Sequence, residues 1–161
     1  MNFVPKRFVL AAASVVALAI AACGTGQGTS SPPTDTPSVG PTTIEVTLQE
    51  WAVVPASVSV PAGDVTFQVT NSGPADLHEF VVLKTDLEHR ALPVDANGAV
   101  TEAGGGMEVV KEVENVAVGT TQELIVSLAA GKYVLLCNIY DETENEAHYA
   151  KGMSIAFTVA G

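Results

Sequence analysis

Three residues near the C-terminus carry most of the chemistry this chain can do: Cys137, His148 and Met153, spaced C-x10-H-x4-M. A thiolate, an imidazole and a thioether form a soft ligand set for a transition metal. A second histidine stands upstream, in Asp76-Leu77-His78-Glu79-Phe80-Val81-Val82. With it the set becomes two nitrogens, one thiolate and a weak axial thioether, which suits one copper ion cycling between two oxidation states. Zinc is the alternative, because Cys137, both histidines and one carboxylate could close a tetrahedron that leaves Met153 idle. Taken singly, each residue has a plainer reading: a hydrogen-bonded histidine at a strand end, an inert buried cysteine, a core methionine. Their joint occurrence favours the metal. His89, in Glu88-His89-Arg90, has no ligand partner nearby in sequence and is expected at the surface, while Trp51 and Met107 read as packing residues.

Strands must position these side chains. Ile44, Val46 and Leu48 alternate with Glu45, Thr47 and Gln49, and Val65, Phe67 and Val69 alternate with Thr66, Gln68 and Thr70. A period of two marks half-buried strands. Pro61-Ala62-Gly63-Asp64 and Asn71-Ser72-Gly73-Pro74 are turn chemistry, and the first predicts a hairpin of 58–60 with 65–70. Phe80 to Leu83 is apolar on both faces, as in a central strand covered by two layers. Glu123 to Leu128, Tyr133 to Leu136 and Ser154 to Val159 complete the set. Thr85 to Val116 reads as an irregular crossover from one sheet to the other, with a helical turn or two at 87–92, a flexible joint at Gly104-Gly105-Gly106 and a short strand at 112–116. The expected fold is all-β, a Greek-key β-sandwich of about seven to eight strands.

The runs Val58 to Pro74, His78-Glu79-Phe80-Val81-Val82, Gly131 to Asn138 and His148-Tyr149-Ala150-Lys151-Gly152-Met153 together resemble a cupredoxin, over roughly Thr43 to Val159. The resemblance implies a type 1 (blue) copper protein. Cys137 would then supply the thiolate, with its colour and electronic coupling, His78 and His148 the equatorial nitrogens, and Met153 the weak axial ligand. It further implies that the ring edge of His148 is the exposed port for electrons. Backbone N–H groups after His78, Glu79 among them, are candidates to bond the thiolate. The chain departs from that family in placing ten residues between Cys137 and His148, including the acidic run Asp141-Glu142-Thr143-Glu144-Asn145-Glu146. This run reads either as a solvated excursion or as a means of steering a basic partner to the port.

The N-terminus addresses the chain. Lys6 and Arg7 precede an uncharged, mostly apolar run from Phe8 to Ala22, too short to span a bilayer comfortably and of secretory-signal form. Leu18-Ala19-Ile20-Ala21-Ala22-Cys23 resembles a bacterial lipobox, which implies a lipoprotein signal peptide over 1–22 and a lipid on Cys23. Residues 23–42 are then the lipidated cysteine and a flexible tether of Gly, Thr, Ser and Pro, spanning roughly 25 Å as a random coil. Residues 43–161 form the copper-binding domain. Loss of residues 1–22 removes Lys6 and Arg7 and no acid, which takes the net charge from −11 to −13. That balance disfavours nucleic acid and favours basic partners. With Cys23 lipidated, Cys137 has no disulfide partner, and a free thiol in an oxidising compartment is better occupied by a metal.

Single-electron transport between extracytoplasmic redox partners is the expected function, by a monomer lipid-anchored at Cys23 that meets a partner with a basic docking surface. Copper sequestration or delivery is the alternative. An enzyme is disfavoured, since multicopper catalysis needs more than the 3 histidines of this chain.

Overall fold

The computed structural model describes residues 40–161. The leader, Cys23 and nearly all of the tether lie outside the described residues. The first half of the domain holds β1 (Thr42–Gln49), β2 (Ala52–Pro55), β3 (Ser59–Pro61), β4 (Gly63–Asn71) and β5 (His78–Thr85). Then follow β6 (Ala103–Gly104), β7 (Met107–Val116), β8 (Thr121–Leu128) and β9 (Gly131–Leu136). A small hairpin of β10 (Tyr140–Asp141) and β11 (Glu146–Ala147), one turn of helix α1 (His148–Lys151) and β12 (Ser154–Ala160) end the chain. Among the described residues no helix is long and apolar enough to cross a membrane.

Two sheets form the sandwich, one ordered β2-β1-β4-β8 and the other β3-β12-β9-β5-β7-β6. The alternation read in β1 and β4 is the burial pattern: Ile44, Val46, Leu48, Val65, Phe67 and Val69 all face the core. Phe67 is fully buried and meets Phe80 and Phe157 from the opposite sheet, ring centroids 5.2 and 5.7 Å apart. β5 lies between β9 and β7. Its double-sided apolarity has a direct cause: Phe80 and Val82 enter the inter-sheet core, while Val81 and Leu83, with Val134 and Leu136 of β9, form a second cluster on the outer face. The 86–106 segment covers that cluster with Leu92 and Val100, and Tyr149 joins it, accepting a hydrogen bond from the Leu92 N–H at 3.0 Å.

Two expectations are overturned. β3 and β4 are not a hairpin: β3 pairs in parallel with β12 and β4 with β1 and β8, so the chain changes sheets between them. The last strand's edge takes β3 as its partner, and Gly63, at φ 138°, supplies the backbone conformation the swing requires. The segment after β5 likewise does not cross between sheets, because β7 returns as the antiparallel neighbour of β5. β7 is ten residues long, not five. Its charges Glu108, Lys111, Glu112 and Glu114 and two register shifts against β5 hide the alternation. The 104–106 glycines, at φ 78°, 58° and 82°, form the tight turn of the β6–β7 hairpin.

Candidate metal centre

His78 is the first residue of β5, and its approach is fixed by Asn71 at the end of β4. Fully buried, Asn71 donates from Nδ2 to the carbonyls of Asp76 and Val116, both at 2.8 Å, and accepts the Gly73 N–H at 2.9 Å on Oδ1. Cys137 follows β9 directly, and its N–H donates to the Met153 carbonyl at 3.0 Å, continuing the β9–β12 ladder. The ten residues after Cys137 are folded, not a loose excursion. Asp141 Oδ1 accepts the N–H groups of Thr143 and Glu144, β10 pairs with β11, and Lys151 Nζ meets Glu146 Oε2 at 2.6 Å. His148 is thereby returned to the site, its N–H on the Ile139 carbonyl at 2.9 Å and its own carbonyl accepting the Met153 N–H at 3.1 Å. Gly152, at φ 121°, ends the helical turn so that Met153 can enter β12.

Three of the four expected residues converge at ligand distance. The two Nδ1 atoms of His78 and His148 are 3.2 Å apart, and Cys137 Sγ lies 3.9 Å from the first and 3.4 Å from the second. A point equidistant from all three sits about 2 Å from each, the length of a bond from a transition metal to imidazole nitrogen and close to that for thiolate sulfur. Met153 is fully buried in the same core cluster as Cys137.

Burial sets the protonation of the metal-free site, leaving the imidazoles neutral and Cys137 a thiol that would give up its proton to a bound metal. Burial, reinforced for His78 by the neighbouring His148, holds both imidazoles below their usual range, so both carry a free nitrogen lone pair. Burial pushes the Cys137 thiol up to about 12, against the N–H groups of Glu79 and Ile139, which favour the thiolate. The Glu79 N–H lies 3.4 Å from Sγ, as expected from sequence. These three donor atoms all lie within 4.8 Å of one another, close enough to be shared by one cation. The donor set and its spacing therefore fit a single transition-metal ion.

His148 is not at the surface. It is 2% exposed and forms the floor of a recess of about 200 Å³ walled by Trp51, Asp76, Asp141, Glu144 and Glu146. The acidic hairpin and Trp51 fold over the ring edge, Trp51 packing edge-on against it at 5.1 Å with Lys151 above the indole. Trp51 is thus more than a packing residue. Met107 is one, buried in the outer cluster, and His89 is half-buried and bonded to Ser154 at 3.2 Å. Glu50 and Trp51, in the turn between β1 and β2, gave no signal in spacing or type, because only the folded chain brings that turn over the histidines.

The sequence matches the family model described as a cupredoxin-like domain over residues 10–147, and the chain belongs to that family. No curated protein matches it. Among solved structures it resembles dithionite-reduced auracyanin from the photosynthetic bacterium Roseiflexus castenholzii, at 25% identity and a TM-score of 0.54, covering 74% of this chain and 98% of that one. Auracyanin A, a "blue" copper protein of Chloroflexus aurantiacus, is 21% identical with a TM-score of 0.51, over 74% and 99% of the two chains. Auracyanin B gives 20% identity and a TM-score of 0.51, over 74% and 89%.

Proposed function

We propose that this protein is a type 1 copper protein carrying single electrons between extracytoplasmic redox partners, with His78, Cys137 and His148 as equatorial ligands and Met153 as the weak axial one. The observation that carries the reading is the triangle of Sγ and two Nδ1 atoms at 3.2 to 3.9 Å. When bound, copper supplies the one-electron couple. The protein's part is to hold the same donors in both states. Cys137 and Met153 lie at the ends of paired strands, His148 is sewn to Ile139 and Met153, and His78 begins a central, largely buried strand. Ligands held this way need little rearrangement when the charge at their centre changes. The Glu79 N–H moderates the negative charge of the thiolate.

His148 is the port by which electrons enter and leave, at the floor of the acidic recess. The carboxylates around it attract a basic docking surface, and no substrate is turned over. Ligands 0 to 2% exposed do not favour rapid hand-over of the metal, which sets electron transport ahead of copper delivery. The signal peptide of 1–22, the lipid on Cys23 and the 23–42 tether complete the proposal, as a monomer anchored on the outer side of a membrane. Protein-film voltammetry of the copper-loaded chain tests it. A reversible one-electron wave at fixed copper content is expected; rapid loss of copper to a competing chelator, with no reversible wave, overturns it.

A further inference from the structure

A metal-ligating histidine generally donates its second ring N–H to a carboxylate, a carbonyl or a water, which fixes the ring and tunes the ligand. His78 turns Nδ1 toward Cys137 and His148, and with that nitrogen on a metal its Nε2 carries the proton. That Nε2 is buried and has no hydrogen-bond partner among the described residues. Glu50 Oε2 is in the same condition. A buried donor and a buried acceptor, each unmatched, stand at the same end of the sandwich.

Glu50 is held there by its other oxygen. Oε1 accepts the N–H groups of Ala75 at 3.1 Å and Asp76 at 2.7 Å, in the segment that leads directly into His78. Gly73 makes room for it: a side chain there would run into the Glu50 carboxylate. Such a cradle does not suit an incidental surface acid. Burial opposes the charge on Glu50, yet the N–H groups of Asp76, Glu50 itself and Ala75 hold its carboxyl below the usual range, so it is an anion at neutral pH.

We infer that Glu50 is the positioning residue for His78, its Oε2 taking the hydrogen bond from Nε2–H directly or through one bridging water. In the metal-loaded protein this carboxylate makes His78 a more electron-rich ligand and stabilises the higher charge state of the centre. The inference rests on the copper reading for its redox consequence but not for the hydrogen bond itself. It also assigns a role to the turn between β1 and β2, whose two residues address the two histidines: Glu50 takes His78 and Trp51 takes His148.

The test uses the full-length chain with Glu50→Gln, which keeps the acceptor for Ala75 and Asp76 but removes the charge, and with Asp76→Asn, which removes a nearby charge that the inference does not bond to His78. In the metal-free proteins, ¹⁵N NMR of the His78 ring should show a protonated, slowly exchanging Nε2–H in the parent and in Asp76→Asn, with faster exchange in Glu50→Gln. In the copper-loaded proteins, Glu50→Gln should retain the visible band and shift the potential upward. The expected change in the ratio of Cu(II) to Cu(I) affinity is about tenfold, or about 59 mV for one electron. Asp76→Asn should shift it less. An unchanged Nε2–H and an unchanged potential in Glu50→Gln, or equal potential shifts in both variants, overturn the inference. Absence of any type 1 copper signal in the parent would overturn the copper reading instead, and the metal-free NMR would still decide the role of Glu50.

Discussion

Replacing Glu79 with Gln should stabilise the metal-free protein at pH 8 and leave it nearly unchanged at pH 4. Glu79 follows His78, accepts the Asn138 N–H at 2.8 Å on Oε1, and is half-buried. Burial, with added repulsion from Glu102, Glu112 and Glu114, raises its carboxyl from the ordinary 4.5 to about 7. Below pH 4.5 the group is protonated in both the folded and the unfolded chain and contributes no penalty. Between 4.5 and about 7 the folded state holds more protons than the unfolded one, so stability falls as pH rises. Above that range the loss is complete. At about 1.4 kcal/mol per tenfold of proton affinity the full displacement amounts to about 3 kcal/mol, and solvent screening of a part-exposed group reduces it to roughly 1–2 kcal/mol. Gln keeps the acceptor for Asn138 and removes the charge. Urea unfolding of both proteins at several pH values is the assay, with the stability difference expected to open between pH 5 and 7.5 and then level off. A difference independent of pH, or one that grows on acidification, would refute the reasoning.

Three further outcomes follow from the packing around the site. Asn71→Ala removes the partner of a buried and a part-buried carbonyl and of one buried N–H and should cost about 3 kcal/mol, measured by denaturant unfolding, and loosen the approach to His78. Gly152→Ala places a Cβ 3.4 Å from the Trp51 carbonyl at φ 121°, so it should cost about 1–3 kcal/mol in thermal unfolding and weaken metal retention through His148 and Met153. Electron exchange with a cationic redox protein should slow by roughly tenfold between low and high salt, and an Asp141→Asn/Glu144→Gln double variant should flatten that dependence in stopped-flow measurements. A rate indifferent to salt would contradict the role assigned to the recess.

Much of this was legible before folding because strand alternation and soft ligands are local signals. Ile44 to Leu48 and Val65 to Val69 bury the residues their period predicts. The candidate ligands were readable from type and order, since few other roles gather Cys, Met and two His along one chain. What escaped is what depends on distant pairing. β3 looks like half of a hairpin until β12 is available to take it. β7 is masked because its outward residues are charged and its register shifts twice. The acidic insertion read as a solvated excursion or a steering device, and its 142–145 tip is exposed, but the fold that Asp141 and the Lys151–Glu146 pair give it beside His148 was not legible. Glu50 and Trp51 could not be found at all by spacing, as they reach the site only across the sandwich.

Loading the full-length chain with one equivalent of Cu(II) and recording its visible and EPR spectra, beside Cys137→Ala and Met153→Leu, tests the central claim most directly. The geometry of Sγ and the two Nδ1 atoms predicts an intense blue band with narrow copper hyperfine splitting, abolished in Cys137→Ala and retained with an altered potential in Met153→Leu. A pale, ordinary Cu(II) spectrum that Cys137→Ala leaves unchanged would contradict it.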